Sequence, residues 1–375
     1  MKISSPVREA AWIELDLRAM QDNMAAIRGR LPQDCAFMAV LKADGYGHGL
    51  QATARAATEA GADAIAVGTL REGLLLRESG IRLPILVLTP SDPDKAELAA
   101  ECQISLPVFS AEGLEEMQNS RRSGRRLNVH LKFDTGMGRF GIRDERELAR
   151  LLPMLQSGKF ALEGVYTHLA AANQADTGFV REQLERFARM RRLVEAAGFT
   201  GFIAHFANSA AAIRFPGQAL DMVRVGASLF GITPIDGQEA GTPEVPLRPT
   251  FSLHTRIVHV KRIECGESVG YDRSYIADSD QWIATLPIGY ADGWSRRCRG
   301  MPALVNGQWA YGVGNVCMNQ TLIRLSEYVP VGTPVTLIGV NGGQSIALRE
   351  VAEAMGTISQ EVLTSLGNRL PRLYT

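Results

Sequence analysis

The sequence predicts an α/β protein in two parts: an N-terminal (β/α)8, TIM-like barrel and a C-terminal, mostly β domain. Three observations carry this. Eight short apolar runs recur through the first two-thirds of the chain, with longer amphipathic stretches between them. No GxGxxG follows the first of these runs, where a doubly wound open sheet would carry it, which disfavours that fold. Beyond about residue 240 the alternation gives way to β-rich segments separated by Gly/Pro turns. The 375-residue length suits roughly two domains and an ample core.

In chain order, the predicted barrel strands are 36–41, 64–68, 84–88, 104–109, 127–133, 162–167, 202–206 and 222–225. Helix-like patterns lie between them at 49–60, 70–79, 111–119, 145–155 and 181–197. GQEAGTPEVPLRP, rich in Gly, Pro and Glu, reads as a linker. It divides a barrel domain, 1–240, from a β-rich domain, 241–375. The segments FSLHTRIVHVKRI, WIATLPIG, WAYGVGNVCM, TLIRL and PVTLIGV supply the later strands, with helical patterns at 348–355 and 359–366. An apolar/polar alternation at 10–17 precedes the first barrel strand and is suited to pair with the second domain.

Composition narrows the function. Hydrophobic residues make up 46% and charged residues 21%, which excludes wholesale disorder. Forty basic residues balance forty acidic ones, arguing against a nucleic acid or acidic membrane as partner through bulk charge. No apolar run approaches ~18 residues, so no membrane span is expected. The opening MKISSPVREAAWIELDL lacks the apolar core of a signal peptide. Five scattered cysteines without a CxxC read as reduced, buried thiols of a cytoplasmic protein. His48, His130, His254 and His259 read as structural, and no pair has zinc-ligand spacing.

Only six of the forty basic residues are lysine, so arginine supplies the generic surface charge. A lysine inside an apolar run is then unlikely to be filler; Lys42 in AFMAVLKADG and Lys132 in NVHLKFDTG are the two cases. Barrel active sites lie at the C-terminal ends of the strands. Lys42, Lys132, His168, His205, Asn208, Ser209 and Arg224 all fall there. A lysine snorkelling from a glycine-punctuated turn would explain Lys42. A desolvated amine poised to form a Schiff base with a carbonyl cofactor explains it as well.

VLKADGYGHG resembles the pyridoxal-phosphate (PLP) lysine motif of the alanine racemases. The resemblance continues in collinear order through HLKFDTGMGRFGI, EGVYTHLA, HFANSAA, VRVGASLFG, PIGYADG and SLGNRLPRLY, and so spans nearly the whole chain. It implies PLP as cofactor, racemisation of L-alanine to D-alanine, and a homodimer in which each subunit completes the other's active site. It further implies a small amino-acid substrate and, as one physiological role, supply of D-alanine as a peptidoglycan precursor.

The same resemblance implies residue roles. Lys42 corresponds to the Schiff-base lysine and to the base on one face of the substrate. Tyr271, in GESVGYDRSY, corresponds to the base on the other face, contributed by the partner subunit. A free tyrosine has pKa ~10, so a cationic network containing His168 and Arg224 is expected to help it. Arg224 corresponds to the arginine facing the pyridine nitrogen. Tyr46, Asn208, Ser209 and the backbone N–H groups of Gly226 and Ala227 correspond to cofactor contacts, although Ser209 is also placed to cap a helix. Arg139 corresponds to the residue that orients the substrate carboxylate, and Lys132 to a lysine often carbamylated in the family. Tyr290 and Met318 correspond to residues of the partner chain at the substrate channel and pocket.

The chain also departs from the family pattern. GNVCMNQ stands where GRICMDQ is common, so Asn315 and Asn319 replace an Arg and an Asp, as if an amide pair replaced an ion pair. Gln360 replaces a tyrosine that touches the phosphate and walls the pocket, which predicts a roomier, more polar pocket and turnover of serine or a broader set of amino acids. A barrel-type PLP decarboxylase lacks support, because its acidic-and-cysteine pocket signature is not seen. A single-barrel PLP carrier is disfavoured by the second domain.

Overall fold

The computed structural model describes residues 10–122, 124–235, 245–367 and 369–375. The first nine residues of the opening segment, most of the expected linker and the 240/241 boundary lie outside the described residues. The chain divides into two compact units, Arg18–Arg248 and a second comprising described residues up to Leu17 together with Pro249–Thr375.

The first unit is a closed barrel of eight parallel strands. They are Ala36–Val40, Ala64–Val67, Ile85–Val87, Ile104–Val108, Leu127–Lys132, Phe160–Tyr166, Ile203–His205 and Met222–Val225. Each coincides with a predicted run to within two residues at either end. Closure is by the first strand on the eighth, with Met38 opposite Arg224. The helices begin where local chemistry supplies a cap. Thr69 and Glu72 form a reciprocal capping box for Leu70–Glu78, and Ser110 and Asp144 accept N–H bonds at the starts of Ala111–Ser120 and Glu145–Leu155. The helices Leu17–Arg28 and Ala96–Glu101 were not predicted, and Ser209–Arg214 was expected only through a cap at Ser209. The signal for Ala96–Glu101 was present in Asp92-Pro93, a capping aspartate with proline at the first turn that precedes it.

The barrel interior is asymmetric. Met38, Val40, Ala64, Ala66, Leu86 and Met222 form one apolar cluster. Residues in register on adjacent strands present side chains to the same side. Ser105 lies opposite Leu86, and His205 opposite Met222. The strands beyond the cluster thus fill their share of the lumen with polar groups, where most barrels use branched apolar ones.

In the second unit, among the described residues, Ala11–Leu15 pairs antiparallel with Phe251–Arg256 and parallel with Arg372–Tyr374, within a ten-stranded sheet. The strand Pro302–Val305, which was not predicted, lies between Gln308–Gly312 and Pro334–Asn341. The cysteines depart from expectation: all are free, but only Cys35 and Cys298 are buried and Cys265 is exposed. A reduced thiol needs no burial, so the sequence rule overreached.

Candidate active site

The chain after the first barrel strand turns the wrong way. Ala43, Asp44, Gly45, Tyr46 and Gly47 all have φ between 53° and 78°, a left-handed helical turn that begins at Lys42. Gly45 and Gly47 donate to the carbonyls of Leu41 and Ala43 at 2.9 and 3.0 Å. Left-handed backbone costs roughly 1–2 kcal/mol for each residue with a side chain, so this turn needs outside support. Asp44 supplies some: its N–H donates to Glu72 at 3.1 Å, and its carboxylate accepts from Leu50 N–H at 2.8 Å. Glycine is required at position 45, where a Cβ would stand 2.5 Å from Thr53 Oγ1.

The turn presents Lys42 and Tyr46 at the barrel mouth. The Lys42 side chain reaches solvent, but the surrounding protein desolvates its amine and lowers its pKa; Arg139 adds to this and Glu72 opposes it. The Tyr46 ring packs against Phe230 at 4.9 Å, and burial pushes its hydroxyl up to about 12, so it remains a donor at neutral pH. The Tyr46 hydroxyl lies where a Cβ on Gly226 would come within 2.5 Å. Ser209 Oγ accepts the Gly226 N–H at 3.1 Å and keeps its own proton to donate. Asn208, not Ser209, caps the helix Ser209–Arg214, accepting from Ala211 N–H at 3.1 Å. Ala227 opens the short 3-10 turn after the eighth strand.

Arg224 is buried. It donates to Thr167 O at 2.7 Å and to His205 Nδ1 at 2.9 Å, and lies 3.4 Å from His168 Nδ1. Burial lowers its pKa to about 10, which leaves it cationic at neutral pH. Lys132 ends the fifth strand; its amine donates to Phe133 O at 2.8 Å, and burial followed by Arg224 brings its pKa down to about 7. Arg139 sits in the loop after that strand, which Asp134 shapes by accepting from Gly136 and Gly138 N–H at 3.1 and 2.9 Å. The His168 imidazole is held well below its ordinary range by burial and then by Arg224, Arg139, Lys132 and Lys42. His168 is therefore neutral, and the expected cationic network lacks it as a charge.

The remaining expected residues lie on the second unit. Tyr271 opens the turn Tyr271–Arg273 and is 69% exposed. Asn315 donates to Tyr271 O at 3.3 Å and to Asp272 at 3.1 Å, while accepting from Arg299 at 3.5 Å. No bond joins Asn315 to Asn319, so the expected amide pair is not formed; Asn315 instead braces the turn that carries Tyr271. Tyr290 and Met318 come together because the Tyr290 and Ala291 N–H groups bond Cys317 and Met318 carbonyls at 3.1 and 2.9 Å. Gln360 lies on the helix Ser359–Ser365, its side chain half-buried.

The barrel mouth suits an anionic, phosphorylated aromatic cofactor. Two arginines and two lysines, Arg224, Arg139, Lys132 and Lys42, act on one neutral imidazole, and hydroxyl donors from Tyr46 and Ser209 lie beside them. The buried Tyr166 hydroxyl has no hydrogen-bond partner among the described residues, with its ring stacked on His205 at 5.0 Å. Sequence reading passed over Tyr166 as an ordinary strand residue. Its alternation with Gly164 on one strand was the available signal.

This fold and site define a PLP-dependent isomerase that racemises amino acids. The chain belongs to the alanine racemase family: residues 15–234 match the model of the alanine racemase N-terminal domain and residues 250–374 that of the C-terminal domain. The chain is 45% identical over 364 residues to the alanine racemase of Geobacillus kaustophilus, covering 97% of this chain and 94% of that protein. It is 38% identical to alanine racemase 1 of Bacillus subtilis, over 99% and 94% of the two chains. The crystal structure of the Bacillus anthracis alanine racemase with bound L-Ala-P superposes with a TM-score of 0.94 at 40% identity, over 99% and 96% of the two chains. A histidine racemase from Leuconostoc mesenteroides superposes with a TM-score of 0.90 at 33% identity, over 99% of each chain. Among the described residues no helix is long and apolar enough to cross a membrane.

Proposed function

We propose that this chain interconverts L- and D-alanine by a two-base reaction, Lys42 acting on one face of the substrate and Tyr271 of a second copy on the other. The supporting observation is the convergence of Lys42, Lys132, Arg139 and Arg224 on His168 at the barrel mouth. When bound, PLP supplies an electron sink that acidifies the substrate's Cα–H bond. Lys42 holds the cofactor through its amine and exchanges a proton at Cα. Its depressed pKa keeps more of that amine in the neutral, nucleophilic form. Tyr46 and Ser209 would donate to the phosphate, joined by the Ala227 N–H; Gly226 contributes the space and a bond that orients Ser209. Asn208 acts through its cap, fixing the first turn that carries Ser209.

Arg224 would face the pyridine nitrogen of bound PLP; a cationic donor there would leave that nitrogen without a proton and restrain the electron sink, which would limit side reactions. Arg139 orients the substrate carboxylate. Lys132, with its pKa near 7, offers carbon dioxide a neutral amine; the N–C bond forms as one amine proton leaves to solvent, and the carbamate anion would pair with Arg139. Tyr290 and Met318, knit together on the second unit, are given to the substrate entrance and pocket of a second copy's site, and Gln360 stands in the place of the family's pocket tyrosine. The assembly is a cytoplasmic homodimer that supplies D-alanine for peptidoglycan.

Incubating the purified protein with PLP and L-alanine, with D-alanine followed by D-amino-acid oxidase, tests the reading. D-alanine accumulates until the enantiomers are equal if it holds; cofactor colour without D-alanine refutes it. A second reading, racemisation of larger or more polar amino acids, rests on Gln360 at the place of a pocket tyrosine.

A further inference from the structure

The polar half of the barrel lumen contains a line of hydrogen bonds that the proposed reaction does not use. Arg224 Nη1 lies 2.9 Å from His205 Nδ1, and His205 Nε2 lies 2.9 Å from His130 Nδ1. His130 Nε2 in turn lies 3.0 Å from Glu163 Oε2. Ser105 donates to the same carboxylate oxygen, and Asn128 to the other at 3.1 Å.

The protons along this line follow from its two ends. A guanidinium only donates, so His205 Nδ1 must hold a lone pair. The single proton of a neutral His205 is then on Nε2, which makes His130 Nδ1 the acceptor. His130 accordingly carries its proton on Nε2 and gives it to Glu163, an acceptor-only carboxylate. We propose that Glu163 and His130 are positioning residues that hold His205 in the one tautomer able to accept from Arg224, and so fix the guanidinium that faces the cofactor. The last step rests on the role given to Arg224 above.

The strands are shaped around this line. The register between the fifth and sixth barrel strands slips at Val129/His130, where Leu162 faces Val129 and Gly164 faces His130. Glu163 is the extra residue of that bulge, a device that re-aims a side chain. A Cβ on Gly164 would stand 2.3 Å from His130 Nδ1, so glycine is what admits the ring. Tyr166 stacks on His205 with 7° between the planes, setting the ring's orientation. The electrostatics agree. Burial acts to raise the Glu163 pKa, but bonds from His130, Ser105 and Asn128 overcome it and hold the carboxylate ionised. Burial, then Arg224, keeps His205 neutral.

Long-range ¹H–¹⁵N spectra of ¹⁵N-histidine-labelled protein, with and without PLP, read the tautomers directly. Both rings are expected neutral with the proton on Nε2. A protonated Nδ1 on either ring overturns the proposal, whatever the enzyme turns over. In the holoenzyme, Glu163→Leu removes the terminal acceptor and is expected to lower kcat about tenfold with KM little changed. In His130→Asn an amide oxygen replaces Nδ1 and needs no fixed tautomer. That variant should keep kcat within about threefold, and adding Glu163→Leu to it should cost nothing more. Equal losses from Glu163→Leu in both backgrounds, or no loss in either, overturn the proposal. Should Glu163→Leu not fold, His130→Phe against His130→Asn gives the same contrast: a tenfold loss in the first alone supports the relay, and equal activities refute it.

Discussion

Lys132 is a buried amine, and its effect on stability can be worked out. It is 3% exposed, and its pKa falls from 10.5 to about 7. Each unit is worth 1.36 kcal/mol, so the ~3.5-unit depression amounts to about 5 kcal/mol by which the ammonium destabilises the fold below the lower value. Between about pH 7 and 10.5 the unfolded chain carries a proton at this site that the folded chain has lost. Stability therefore rises with pH across that window, by at most ~1.4 kcal/mol per unit. Lys132→Met removes the titration while keeping an unbranched apolar side chain of similar length. In urea unfolding under carbon-dioxide-free buffer, at fixed protein and PLP concentrations, wild type should gain about 2 kcal/mol on the variant between pH 7 and 9. With ¹³C-bicarbonate present, the wild-type protein should incorporate one acid-labile label, and this relative gain should disappear as the amine is consumed. Parallel stability curves for the two proteins without bicarbonate, agreeing within ~0.5 kcal/mol, would refute the reasoning.

Three further outcomes are expected. Gly226→Ala places a methyl 2.5 Å from Tyr46 Oη and 3.3 Å from Val40 Cβ, so PLP affinity in a fluorescence titration should fall about tenfold; an unchanged Kd contradicts the packing argument. Gly45→Ala adds left-handed strain to a contact with Thr53 and should cost ~2–4 kcal/mol in urea unfolding, a loss that Thr53→Ala partly restores; no loss means that the turn is not held as described. A pocket excludes an added hydroxyl only by ~10² unless built to do so, so L-serine should be racemised measurably; a rate below roughly a thousandth of that for L-alanine sinks the role given to Gln360.

The barrel was legible because strand identity depends on local patterns that context did not override. Each of the eight apolar runs became a strand. The lysine shortage isolated Lys42 and Lys132 before any geometry was known. The left-handed turn was not legible, because Ala43, Asp44 and Tyr46 bear side chains that ordinarily avoid that backbone; it is held by Glu72 and Leu50, contacts made only in the fold. His130 read as structural because alternation shows which residues share a face, not what that face meets. Only barrel closure brings it to His205, 75 residues away. The exchange of Asn315 for Arg was visible, but its consequence was misread. Its partners, Asp272 and Arg299, come from distant segments that no spacing rule joins to it.

Two-base racemisation by Lys42 and Tyr271 is tested most directly by deuterium wash-in at Cα, followed separately for L- and D-alanine in Tyr271→Phe. Wash-in should stop for one enantiomer and continue for the other through Lys42, while interconversion ceases. Wild-type wash-in for both enantiomers, with undiminished interconversion, would contradict it.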